Sequence, residues 1–155
     1  MVLSQDTLQV TAMYKWLRDK YKQHNKPDDK NNKYKKKYPE TKGIKVQVHK
    51  LFARHIPLKE QQEALAAEVE QGQQVINVYI GMPGRIRSLA AAGSIKLTSK
   101  KLKAIVFDLK ANKKNFTMFE THETRDDAYA VLNYARKQLM RRKTRVHLIK
   151  WAKLI

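Results

Sequence analysis

Apolar positions along this chain recur in two alternating periods. From about Gln5 to Lys22, the set Leu8, Ala12, Trp16 and the set Val10, Met13, Leu17, Tyr21 return every three or four residues, which predicts a helix with a wide apolar face. A short strand is expected before it at Met1–Leu3. Ile44 to Phe52 reads as a strand through Val46 and Val48, and a helix follows from about Leu58 to Glu70 with Leu58, Leu65 and Val69 inward and Gly72 at its exit. Gln74–Ile80 is short, β-branched and almost continuously apolar, the pattern of a strand covered on both faces. It runs into Gly81-Met82-Pro83-Gly84-Arg85 and a helix bearing Ile86, Leu89 and Ala90, closed by Gly93.

The pattern continues to the end of the sequence. Leu102–Phe107 is the next buried-type strand and ends at Asp108. Thr124-Arg125-Asp126-Asp127 has the spacing of a capping box, opening a helix to about Arg141 that carries Ala128, Val131, Leu132, Ala135 and Leu139. A last strand spans Arg145 to Ile149 or Trp151. Strands alternating with helices predict an α/β fold: a three-layer parallel sheet with helices on both faces, in one domain over residues 1–155. Residues 23 to 43 break the pattern. They are polar, Lys-dense and interrupted by Pro27 and Pro39, so a mobile loop is expected there.

Charge then narrows the function. Thirty-three Lys and Arg against fourteen Asp and Glu give a formal +19, and repulsion on that scale opposes compaction unless a polyanion screens it. RNA phosphates are a ready partner, because each contact releases counterions whatever the base sequence. A highly soluble basic protein, or one made for a membrane surface, is the alternative. The chain has no cysteine, which removes disulfides, thiolate metal sites and cysteine nucleophiles. The first residues show neither a signal peptide nor a membrane span.

The segment VINVYIGMPGRI, a helix, and then KLTSKKLKAIVFD together resemble the first RecA-like domain of DEAD-box RNA helicases. In that family a Thr-Pro-Gly-Arg element touches the RNA backbone, and a later strand ends in Asp-Glu-Ala-Asp. Here Met82 replaces the threonine while Pro83, Gly84 and Arg85 remain, and VLSQDTLQV lies where a further RNA-touching turn would be, without its arginine. KLFARHIPLKEQ, from Lys50 to Gln61, extends the resemblance to the degenerate DEAD-like proteins of the Cms type, found in the early small-subunit pre-ribosome. The resemblance implies a truncated RecA-like (DEAD-box domain 1-like) fold that begins at about the family's second strand. It leaves an upstream strand to be supplied from elsewhere.

ATP hydrolysis on such a fold needs a glycine-rich loop ending Gly-Lys-Ser/Thr and an acidic pair at the later strand. None of Gly43, Gly72, Gly81, Gly84 and Gly93 is followed by lysine and Ser/Thr, and Asp108 is followed by Leu109 and Lys110. The sequence therefore predicts no enzyme, no catalytic residue and no cofactor. Asp108 reads first as a loop-start hydrogen-bond acceptor. His24, His49, His55, His122 and His147 show no metal-ligand spacing, so no metal site is expected.

Three basic features are candidates for RNA. Gly84, Arg85 and Arg87 sit where a helix N-terminus attracts phosphate, although an arginine there is equally consistent with simple solvation. Lys33, Lys35, Lys36 and Lys37 interleave with Tyr34 and Tyr38, fitting phosphate contact with base stacking, a solvated loop, or a nuclear-import signal. Arg141, Arg142 and Lys143 extend a cluster begun by Arg136 and Lys137, more charge than a helix dipole needs. The expected function is a non-catalytic RNA-binding assembly factor of the small-subunit processome, in nucleus and nucleolus. It would scaffold pre-rRNA and pre-ribosomal proteins, with no membrane and no small-molecule substrate. Two alternatives stay open: an integral ribosomal or other basic RNA-binding protein, and a residual nucleotide-binding switch.

Overall fold

The structure, a computed structural model, describes residues 1–24, 45–52, 56–67 and 75–150. Among these residues nine elements follow in order: β1 (Val2–Leu3), α1 (Thr7–His24), β2 (Lys45–Leu51), α2 (Leu58–Ala67), β3 (Val75–Gly81), α3 (Pro83–Ala91), β4 (Ala104–Asp108), α4 (His122–Met140) and β5 (Arg145–Ile149). The strands form one sheet in the order β2-β3-β1-β4-β5, and every pair is parallel. The alternation of strands and helices read from the sequence is therefore the architecture, an α/β fold on a five-stranded parallel sheet. The 23–43 loop, with Lys33, Lys35, Lys36 and Lys37, lies almost wholly outside the described residues, as do Val69, Gly72 and Trp151. Helix α1 itself runs on to His24.

Handedness decides which helix covers which face. From β1 the chain steps in one direction to reach β2, then steps back through β3, β4 and β5. Right-handed crossovers taken in opposite directions lie on opposite sides of a sheet. Accordingly α1 packs Val10 and Met13 on Ile80, Val48 and Val78, while Leu65, Ile86, Leu89, Ala128, Val131 and Ala135 of α2, α3 and α4 pack on Leu3, Ile105 and Phe107. Strand alternation divides β1 between the two sides, with Val2 toward α1 and Leu3 toward the larger core.

Several local expectations change. Of the two stripes on α1, the one with Val10, Met13 and Leu17 meets the sheet; Leu8 is 78% exposed and Trp16 lies under the Lys20 ammonium, 4.8 Å from the ring centroid. One helix on a flat sheet has room for a single buried stripe. The run at β3 is covered only toward its carboxyl end. Ile76 and Asn77, on opposite faces of the strand, are both exposed. Helix α4 starts at His122, before the predicted capping box. The Thr124 hydroxyl sits inside the first turn and donates to the Met118 carbonyl at 2.9 Å.

β5 is an edge strand with little cover, Val146 at 42% and Leu148 at 61% exposure. The Arg145 N–H donates to the Lys103 carbonyl and the Leu109 N–H donates to the Ile149 carbonyl, so residues 145 and 149 turn their backbone groups toward β4. By alternation the N–H and C=O of Val146 and Leu148 point outward.

Gly81 sets how closely β2 and β3 approach. A Cβ there would collide with the Leu51 carbonyl oxygen and come 2.8 Å from the Leu51 Cβ, and Leu51 is buried. Backbone cannot swing aside as a side-chain tip can. Gly81→Ala is expected to lower stability by about 1–3 kcal/mol, the usual range for overpacking a tight core. A shifted midpoint at constant slope in urea unfolding checks it, and an unchanged midpoint would refute the contact.

Candidate nucleic-acid interface

In a parallel sheet all strands end at the same edge, and the turns after β1, β3 and β4 gather there. In open α/β sheets ligands enter beside a strand whose crossover departs in the direction opposite to its neighbour's. β1 is such a strand, and the space at its carboxyl end is full. Ser4, Gln9 and Asp108 are all buried there, Asp108 at 0% exposure. The Ser4 hydroxyl donates to Asp108 Oδ2 at 3.2 Å. With its amide nitrogen toward the carboxylate, Gln9 donates to Asp108 Oδ2 at 2.6 Å and to Ser4 Oγ at 2.9 Å, and its oxygen accepts from Lys110 Nζ at 3.1 Å. The opposite orientation would press two acceptors together. Asp108 Oδ1 accepts the Lys110 N–H at 3.1 Å, which is the loop-start role expected for it.

The turn after β3 places its glycine and arginines differently from a simple phosphate cradle. Pro83 opens α3 at its first turn, and Gly93 follows it at φ 76°, as expected. Arg85 points inward, only 9% exposed, and its Nη2 donates to the Ile56 carbonyl at 2.8 Å. Burial lowers its pKa, yet a guanidinium keeps its charge. Its Nη1 has no hydrogen-bond partner among the described residues. Arg87 lies outside and pairs with Asp127 at 2.6 Å, and that hydrogen bond raises its pKa. Gly84 admits the same aspartate: a Cβ there would stand 2.6 Å from Asp127 Oδ2. The three residues chosen from the sequence are thus adjacent, but each has an internal neighbour that the sequence did not reveal.

The other described cluster is open. Arg136, Lys137, Arg141, Arg142, Lys143 and Arg145 are all exposed around the end of α4 and the start of β5. Arg142 takes a positive φ of 52°, turning the chain where α4 stops. Arg141 and Arg142 instead close the helix through their backbone N–H groups, donating to the Lys137 and Leu139 carbonyls. Arg141, Arg142 and Lys143 have no side-chain ion pair among the described residues.

A third basic surface was missed in the sequence. The loop from Leu109 to Thr121 carries Lys110, Lys113 and Lys114 beside an exposed Phe116. It shows no periodicity, and only its short run of lysines near phenylalanine could have marked it. Among the described residues, no group of three His, Asp or Glu gathers as a metal site, and no helix is long and apolar enough to cross a membrane.

A family model, CMS1, U3-containing 90S pre-ribosomal complex subunit, matches residues 28–149, more than three quarters of the chain. The chain belongs to that family. No curated protein and no solved structure matches it.

Two substitutions separate structural from open roles. Asp108→Ala removes the buried acceptor of the Ser4 hydroxyl and of one Gln9 N–H and should cost about 1–3 kcal/mol. Gly84→Ala should cost less than about 1 kcal/mol, since the Asp127 carboxylate can swing away from an exposed pair. Urea unfolding of both variants checks the order; equal losses would contradict it.

Proposed function

We propose that this chain, a member of the family of the U3-containing 90S pre-ribosomal complex subunit, is a non-catalytic RNA-binding assembly factor that works in ribosome biogenesis. It holds pre-rRNA and neighbouring pre-ribosomal proteins without turnover, in the nucleus and nucleolus. The observation that carries this reading is the unpaired cationic surface at the end of α4, where six exposed Lys and Arg stand within ten residues, from 136 to 145. Such a surface gains most from phosphates, and phosphate contacts carry no base identity. Recognition then comes from RNA shape and from bound proteins. The outward backbone groups of β5, beside exposed Val146 and Leu148, favour a partner that adds a strand there. Lys33, Lys35, Lys36 and Lys37 belong to the same reading as further phosphate contacts.

Descent from the first RecA-like domain of DEAD-box helicases accounts for the retained Pro83-Gly84-Arg85 at a helix start. In this reading Arg85 Nη1, buried and unfilled, waits for an acceptor brought by RNA or a partner chain. The residual nucleotide switch is disfavoured by the crevice beside β1, where Gln9 and Asp108 fill the space a phosphate would take. An integral ribosomal protein would carry similar charge and is distinguished by fractionation, since an assembly factor is absent from translating ribosomes.

The test is binding to a structured rRNA fragment across a salt series. Arg141→Ala/Arg142→Ala/Lys143→Ala should lower the slope of log K against log salt by about 2–3, at roughly 0.9 per lost phosphate contact. Arg87→Ala should change it by less than ~1, because Asp127 already neutralises that arginine. A slope unmoved by the triple change would remove the α4 end from the interface.

A further inference from the structure

The loop between β4 and α4 is built more firmly than a connection requires. The Asn112 N–H donates to the Phe116 carbonyl at 2.8 Å, while Asn112 Oδ1 accepts the N–H groups of Lys114 and Phe116 at 2.9 and 3.1 Å. Asn115 supplies the reversal at φ 64°, in the region that asparagine tolerates better than most residues. The Gln5 amide, from the β1–α1 turn, donates to the carbonyls of Lys110 and Phe116 at 3.0 and 2.8 Å, and its oxygen accepts from the Thr121 hydroxyl at 3.3 Å. Glu120 accepts both the N–H and the hydroxyl of Thr117 at 2.8 Å, and these bonds hold its carboxyl below the ordinary range. That clasp is complete above the unfolded carboxylate pKa and is lost only as pH falls through the lowered value.

What this frame displays is chemically specific. Phe116 is 49% exposed, although the neighbouring Met118 is buried and Phe119 packs against Phe107. Lys113 and Lys114 stand exposed on the same turn, and no acid occurs between Leu109 and Phe119. A hydrophobic anchor for a protein partner would be flanked by apolar residues; here the residues before Phe116 are Lys113, Lys114 and Asn115. A half-exposed aromatic ring on a hydrogen-bonded turn that also carries cations suits a base flanked by phosphates, since stacking tolerates any base and cations track the backbone.

We infer that the 109–121 loop is a stacking platform for an unpaired RNA base, with Phe116 taking the base and Lys113 and Lys114 the flanking phosphates. This rests on the RNA-binding reading and adds to it a preference for single strands that the α4 cluster alone does not supply.

The experiment compares a labelled unstructured pyrimidine 12-mer RNA with a 12-base-pair RNA duplex, titrated with wild type, Phe116→Ala, Phe116→Trp and Lys113→Ala/Lys114→Ala. Phe116→Ala should weaken the single strand by about 5- to 150-fold, the range for one lost stack, and leave the duplex within about twofold. Its salt slope should match wild type, and Phe116→Trp should retain affinity. The double lysine change should flatten the single-strand slope by about 1.4, at roughly 0.7 per phosphate. Thermal unfolding should be unaltered in Phe116→Ala, because the ring is half exposed. The inference is overturned if Phe116→Ala binds the single strand as wild type does, or loses both RNAs equally. It is also overturned if that variant keeps the single strand but drops a protein from isolated pre-ribosomal particles. Wild type binding neither RNA overturns the proposed function as well, whereas wild type binding both with Phe116→Ala unaffected leaves that function standing.

Discussion

Two residues of strand, Val2 and Leu3, occupy the middle of a five-stranded sheet, and the buried contacts of Ser4, Gln9 and Asp108 keep them there. A strand that short gives few ladder bonds of its own. Its hold comes from both flanks: the Ser4 N–H donates to the Gly81 carbonyl at 3.1 Å, and the Val106 N–H donates to the Met1 carbonyl at 2.8 Å. The Asp108 carboxylate then links β4 to β1 and, through Gln9, to the first turn of α1. A buried carboxylate is tolerated only when its oxygens are satisfied, and these have acceptor duties on both sides. Loss of the network would free the one strand that joins the β2–β3 half of the sheet to the β4–β5 half.

That same network moves function outward. The crevice beside β1 is the place where an open α/β sheet offers helix N-termini and a gap between crossovers. Here its polar capacity is spent on the protein itself. On the proposed reading, phosphate binding falls to groups that stand in solvent, namely the end of α4 and the loop after β4. Cations of this kind bind polyanions by number and spacing rather than by enclosure, which suits a scaffold better than a turnover site.

Much of the architecture was legible because it depends on short-range pattern. β-branched runs marked β3 and β4, Pro83 and Gly93 bracketed α3, and a helical repeat marked α4. The site was less legible because its meaning lies in distant partners. Gly84 reads as room for a ligand, but the neighbour it accommodates is Asp127. Arg85 and Arg87 look equivalent in sequence, yet one turns in to Ile56 and the other out to Asp127, since helical positions two apart face different ways. The 109–121 loop has no period to read, and its order comes from Gln5, more than a hundred residues away. Likewise the exposed face of β5 follows from edge position, which no run of Val and Leu discloses.

Charge and packing meet at Arg85. Most cations among the described residues reach water, where salt screens them and their mutual repulsion is spread. Arg85 is different: it keeps a full charge 9% exposed, with one carbonyl acceptor and an Nη1 unfilled among the described residues. An uncompensated buried charge is among the more costly features a fold retains. Replacing it with an apolar residue of similar length would remove that cost in the free protein. Its presence is therefore better explained by a state in which an anion or carbonyl completes the guanidinium than by the stability of the isolated chain. The net charge of +19 has the same logic on a larger scale, because on the proposed reading both penalties would be relieved by one event, docking on a polyanion.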